Sequence, residues 1–205
     1  MFGPGDLGFF ERVAPLYDLV MPPASGTALA DGLAHAERPI ERLLDVGGGS
    51  GRAAAAITGP EVTVVDASPR MLGRARRVRG LDAMAGDASR LPVRDDAVDA
   101  VMIVDALHHF PDADATLAEV ARVLAPGGVL VVREFDPTHP LGRAIELGEE
   151  LVGMQSTFFS PDRLADDLAP HGFRPSVIER GFGYTVVGVR LDGSMSVGSM
   201  SVGSK

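Results

Sequence analysis

The sequence predicts an α/β fold built on a doubly wound parallel sheet, and three observations carry that expectation. Short apolar runs suited to buried strands alternate with segments of helical spacing from Arg42 to Phe135. The first of those runs, RLLDV, passes straight into GGGSG, a loop in which Gly47, Gly49 and Gly51 alternate. At 205 residues with 45% apolar content, the chain has material for one sizeable core.

Taken in order, the stretch FFERVAPLYDLV (Phe9 to Val20) has roughly helical spacing broken by Pro15, and MPPASG ends it. A second helix is expected from Thr27 to Glu37, closed by Pro39. Then strand and helix alternate: RLLDV with a helix over Gly51–Ile57, EVTVVD with Pro69–Val78, LDAMAGD, AVDAVMIV with Asp112–Leu124, and GGVLVVREF. Units of this length place parallel strands in one sheet with helices on both faces. Beyond Phe135 helices are expected over Pro140–Gly153 and Ser160–Ala169, followed by the strands RPSVIER and GYTVVGVR. The link at Gly181 is too short for a crossover, so those two strands run antiparallel. One domain is expected over residues 1–190, with N-terminal helices of about 1–38 as a lid. In residues 191–205 a Gly/Ser/Met unit repeats, which reads as a flexible tail.

Composition removes several classes of function. Zero cysteines exclude disulfides, thiolate metal sites and cysteine nucleophiles. A net charge of −9, with the arginines scattered, disfavours nucleic acid as a partner, because phosphate binding needs clustered cations. No run approaches the ~18 apolar residues of a membrane span and no basic leader precedes one, so a cytoplasmic protein without stable membrane insertion is expected.

A strand that runs into a glycine loop and then a helix suits a nucleoside ligand, since glycine lets backbone approach it closely. Asp66, ending the next strand, can accept hydrogen bonds from ribose hydroxyls. A dinucleotide turn would read G-x-G-x-x-G/A, and here the spacing is G-x-G-x-G with Arg52 after it, which ranks an NAD-linked reductase lower. A tight turn without any ligand is the bland alternative. The D-x-G-x-G-x-G of Asp45–Gly51 resembles the first motif of the class I S-adenosylmethionine-dependent methyltransferases. Gly86, Asp87 and Ala88 match that family's G-D-A turn. Leu91, Pro92, Asp95 and Asp99 match its next motif, and Pro126, Gly127 and Gly128 its L-x-P-G-G turn.

That resemblance implies a Rossmann-like, seven-stranded sheet of order 3-2-1-4-5-7-6 with strand 7 antiparallel, and S-adenosyl-L-methionine as cofactor. It places Asp45 at the ammonium of the methionine moiety, Gly47 and Gly49 along the loop, Asp66 and Ala67 at the ribose, and Asp87 and Ala88 at the adenine. Asp99 is expected to support the fourth strand. The strand exit VDALHHFPD resembles that of the small-molecule members, and puts Val104 and Asp105 beside the methionine part.

FFERVAPLYDLV resembles the lid of the ubiquinone and menaquinone biosynthesis C-methyltransferase group, with Tyr17 over the cofactor. That group typically reads A-G-G-T-G-D and G-L-R-N where this chain has Gly-Gly-Gly-Ser-Gly-Arg and Ala-Leu-His-His. His108, His109 and Tyr17 are the candidate acceptor-side residues, an imidazole being suited to removing a hydroxyl proton near neutral pH. The expected function is methyl transfer to a small apolar or aromatic acceptor, a lipid-like quinone precursor being one such molecule. A non-catalytic cofactor-binding subunit is the alternative. In-line transfer by alignment and exclusion of water implies no metal. A homodimer is left open.

Overall fold

The computed structural model of the protein describes Gly8, residues 26–151, Met154 and residues 156–192. The helix expected over Phe9–Val20, Tyr17 within it, and the repeat over 193–204 lie outside the described residues.

Seven strands form one sheet: β1 (Arg42–Val46), β2 (Glu61–Asp66), β3 (Asp82–Ala85), β4 (Val98–Val104), β5 (Leu124–Phe135), β6 (Phe173–Glu179) and β7 (Gly183–Arg190). Their order is β3-β2-β1-β4-β5-β7-β6. The pairings of β1 with β2 and β4, β2 with β3, and β4 with β5 are parallel. β7 runs antiparallel to both β5 and β6. The helices are α1 (Gly26–Leu33), α2 (Pro69–Arg79), α3 (Ala113–Val123), α4 (Pro140–Leu151) and α5 (Pro161–Leu168).

The alternation along β4 shows how one strand serves two cores. Its Val101 and Ile103, joined by Val98 across the register shift between Val98 and Ala100, pack with Leu117 and Val120 of α3 and Leu164 and Leu168 of α5. Ala100, Met102 and Val104 face the other way and pack with Leu29 of α1 and Leu72 and Ala75 of α2. Because successive side chains of a strand point to opposite faces, a run that is apolar throughout must be covered on both. All seven residues of β4 are accordingly buried.

Caps set where several helices begin. The side-chain oxygens of Ser68, Asp112 and Ser160 accept hydrogen bonds from the N–H groups of Met71, Ala115 and Arg163, satisfying first-turn donors. Asp99 supports β1 in addition to its own strand: its Oδ2 accepts the N–H groups of Glu41 and Arg42, each at 3.0 Å. Two expectations change. The helix expected over Gly51–Ile57 is a turn with a short 3-10 segment, Ala54–Ala56, because Gly47, Gly49 and Gly51 hold positive φ and too few residues remain to nucleate an α-helix. β5 begins at Leu124, earlier than expected, with a register shift between Val98 and Ala100 of β4 that absorbs Pro126 and Gly127. No helix among the described residues is long and apolar enough to cross a membrane.

Candidate active site

A cleft of about 910 Å³, open mouth included, lies at the carboxyl ends of β1, β2 and β4. This is where an open α/β sheet binds ligands, because the chain on either side of β1 departs to opposite faces. Asp45, Gly47, Gly49, Asp66, Ala67, Ala88, Val104, Asp105 and His109 all line it.

The loop between β1 and the Ala54–Ala56 turn needs glycine for two different reasons. Gly47, Gly49 and Gly51 adopt φ values of 70°, 56° and 77°, a region that side chains disfavour. Gly48 has ordinary φ, yet a Cβ on it would lie 2.4 Å from the Asp45 carboxylate. Gly48 escapes a reading of motif spacing, since only the folded loop shows the carboxylate beneath it. The loop is held open by Asp66, whose Oδ2 accepts the Gly49 N–H at 2.8 Å while Oδ1 accepts the Ser68 N–H at 2.7 Å.

Asp45 is fully buried. One carboxylate oxygen accepts the Ala54 N–H at 3.3 Å, and among the described residues the other, Oδ1, has no hydrogen-bond partner. Burial pushes its pKa up to about 7; the Ala54 bond opposes this, Asp66 adds to it, and Arg52 opposes it. An orphaned buried carboxylate oxygen calls for an explanation, and a cationic ligand group supplies one. The residues therefore fit a cofactor bearing an ammonium beside a nucleoside: Asp45 for the cation, the glycine cradle for close backbone approach, and Asp66 for the sugar.

Asp105 holds φ at 51°, uncommon for a residue with a side chain. Its Oδ2 takes Nη2 of Arg52 at 3.4 Å, and burial first, then Glu134, raises its pKa, with Arg52 opposing. Asp87 departs from expectation. Its Oδ1 accepts the N–H and hydroxyl of Ser89 at 2.9 and 2.7 Å, so its side chain closes its own turn, and Gly86 and Ala88, not Asp87, form the cleft wall.

The adjacent histidines have separate fates. His108 is 2% exposed and outside the cleft lining, its ring stacked on Phe158 at 4.5 Å. Its Nδ1 meets Oε2 of Glu134 at 2.5 Å, and its Nε2 stands 3.7 Å from Oε1 of Glu149. Burial alone would lower its pKa, but Glu134 and Glu149 outweigh burial and push it up to about 10. That direction favours the charged ring, and with its burial it speaks against His108 as the proton acceptor.

His109 lines the cleft, with Nδ1 3.2 Å from the Ser156 hydroxyl oxygen. That hydroxyl donates its one hydrogen to Oε2 of Glu149 at 2.5 Å. It can therefore only accept from His109, which assigns the proton of the neutral ring to Nδ1 and the lone pair to Nε2.

Glu134, near the end of β5, organises this corner and went unnoticed in the sequence. It is 2% exposed, and its Oε1 accepts the N–H groups of Ala106 and Leu107 at 3.0 and 2.7 Å. The signal was available: a carboxylate inside VLVVREF is a buried charge in waiting, and such charges are paired. Leu151, Met154, Phe158 and Phe159 do not line the cleft: Phe159 belongs to the core and Leu151 is 88% exposed.

The methyltransferase domain family matches residues 44–132. A demethylmenaquinone methyltransferase of Thermus thermophilus is 41% identical over 143 residues, 62% of this chain and 64% of that protein. Thus the chain spans just under two thirds of the Thermus relative. Another demethylmenaquinone methyltransferase, from Deinococcus radiodurans, is 34% identical over 203 residues, covering 80% of this chain and 83% of that one. The crystal structure of an S-adenosylmethionine-dependent methyltransferase from Thermotoga maritima superposes with a TM-score of 0.74 at 26% identity, over 89% of this chain and 99% of that one.

Proposed function

We propose, for a chain that belongs to the S-adenosylmethionine-dependent methyltransferases, that it transfers the sulfonium methyl group to a small aromatic acceptor of the prenylated quinol type. The observation that carries the cofactor half is the fully buried Asp45, one of whose carboxylate oxygens has no hydrogen-bond partner among the described residues, beside a loop where Gly47, Gly48 and Gly51 leave no room for a Cβ. Similarity to the two demethylmenaquinone methyltransferases supports the acceptor half.

When bound, the cofactor supplies an electrophilic methyl group on a positively charged sulfur. The chain's own part is to bind and orient. Asp45 neutralises an ammonium in a water-excluded position, where the attraction is far stronger than in bulk water. Asp66 holds the ribose while keeping Gly49 and Ser68 in place. Met71 and Phe110 give the cleft apolar walls. Alignment of acceptor and methyl in such a site supplies most of the acceleration a displacement at carbon requires.

Two measurements on the intact protein test this reading. S-adenosylhomocysteine should bind at one site per chain by titration calorimetry, and Asp66→Ala should weaken it. Methyl-labelled cofactor should then label a prenylated quinol precursor above a boiled control. Binding without transfer to any lipid extract would favour a non-catalytic cofactor-binding subunit; failure of S-adenosylhomocysteine to bind would overturn the cofactor assignment.

A further inference from the structure

Asp45 and Asp66 are the carboxylates that the cofactor reading employs, and the cleft wall holds a third, Asp105, directly after β4. We propose that Asp105 is a catalytic residue on the acceptor side, whose carboxylate takes the proton of an aromatic hydroxyl on the methyl acceptor during transfer. The assignment rests on the methyl-transfer reading and names the group that activates the acceptor. Its place suits the role: the family resemblance puts Asp105 beside the methionine part of the cofactor, which carries the methyl group, and an acceptor aligned with the carbon–sulfur bond must reach the same spot.

The backbone holds this residue in an unusual conformation from both sides. Its φ of 51° is one that few residues with a side chain adopt. Its own N–H donates to the Arg133 carbonyl at 2.9 Å, and the next two N–H groups, of Ala106 and Leu107, donate to Glu134. Backbone strain fixed by its surroundings in this way gathers at functional sites. The glycine loop abuts the same turn, since a Cβ on Gly47 would lie 2.9 Å from the Ala106 Cβ and 2.7 Å from the Phe110 ring.

The carboxylate is anchored by one oxygen and open at the other. Oδ2 meets Nη2 of Arg52 at 3.4 Å, beyond the ~2.7–2.9 Å of a strong charge-assisted bond. Among the described residues Oδ1 accepts no hydrogen bond, and the side chain is 15% exposed. The surrounding charges suit a base. Burial, then Glu134, raises its pKa above the ordinary carboxylate value, Arg52 and His108 oppose them, and Asp45, Asp66 and His109 are the other titratable groups on the cleft wall. A base works best with its pKa near the working pH, and the net shift moves Asp105 that way.

The step balances with water as the final proton acceptor. The hydroxyl O–H bond breaks, its proton passes to Oδ1, and its electron pair enters the ring. A ring carbon attacks the methyl carbon while the carbon–sulfur pair stays on sulfur. The methylated carbon then releases its hydrogen to water as a proton, and Asp105 returns its own proton to the ring oxygen.

Single-turnover transfer of labelled methyl to a geranylated naphthoquinol, followed across pH, tests the assignment. Saturating cofactor removes the pH dependence that Asp45 gives to binding. In the unaltered protein the rate should rise with pH as Asp105 ionises. Asp105→Asn should be about a hundredfold or more slower near neutral pH, should lose that rise, and should regain rate toward pH ~10, where a phenolic hydroxyl ionises unaided. A residue that only shaped the cleft would give no such recovery. S-adenosylhomocysteine affinity within about threefold of wild type and an unchanged circular dichroism spectrum should show the cofactor site and fold intact. Transfer by Asp105→Asn at the wild-type rate, or slowing equal at every pH, overturns the assignment and leaves methyl transfer standing. No transfer by the unaltered protein with S-adenosylhomocysteine still binding overturns the acceptor reading and the assignment with it.

Discussion

Replacing Asp45 by Asn removes one buried charge at nearly constant shape, and it should move stability and cofactor affinity in opposite directions. In the folded protein burial pushes this carboxyl from 3.8 up to about 7, while in the unfolded chain it keeps its ordinary value. Stability from the retained proton is therefore present in full below 3.8 and is lost as pH rises through about 7. That gap is worth at most about 4 kcal/mol, of which roughly 2–3 kcal/mol disappears between pH 5 and pH 8. Asn does not titrate, so the stability difference between variant and wild type isolates this carboxylate. The variant should gain on the wild type by that amount across the interval, read from urea unfolding of the cofactor-free proteins. Binding should change the other way. A charge-assisted contact to the cofactor's ammonium is worth about 1.5–3 kcal/mol, so S-adenosylhomocysteine should bind about ten- to a hundredfold more weakly to Asp45→Asn. Wild-type affinity should itself rise with pH through about 7, because the ionised carboxylate is the binding form. A stability difference independent of pH would refute the burial argument, and an affinity within about twofold of wild type would refute the ammonium contact.

Three further predictions concern residues whose surroundings show only in the fold. Gly48→Ala puts a Cβ 2.4 Å from the buried Asp45 carboxylate and should destabilise by about 1–3 kcal/mol in urea unfolding. By contrast Gly148→Ala, in α4 with nothing within 4 Å, should stabilise by about 0.5–1 kcal/mol in the same assay. Glu134→Ala strips the Ala106 and Leu107 N–H groups and the His108 ring of their acceptor. It should cost about 3–5 kcal/mol by denaturant unfolding, and a loss under about 1 kcal/mol would mean the loop does not depend on it.

What the sequence determined by itself is what a few neighbouring residues can encode. The apolar run VDAVMIV contains its own period of two, so β4 and its coverage on both faces follow without knowledge of the rest of the chain. Alternating glycines after an apolar run encode a sharp turn at the strand end, and Asp45 and Asp66, at fixed distance from it in sequence, both line the cleft beside it. The antiparallel β7 followed from the shortness of a connection. Other features depend on contacts between distant segments, which no local pattern contains. His108 and His109 are neighbours in sequence and chemically alike; a carboxylate on β5 holds one ring in the interior, while the other, at the end of the 3-10 turn Leu107–His109, faces the cleft. Asp87 stands in the turn where a ligand contact was expected, and one of its carboxylate oxygens is taken by Ser89, a pairing that the motif does not reveal. Glu149 and Ser156 meet the histidines only because the chain from α4 is bonded back to the turn at Thr157. Periodicity and spacing travel with the chain, whereas the partner of a buried charge is decided by packing, and that is why the glycine loop at the strand end was legible in the sequence and the histidine corner was not.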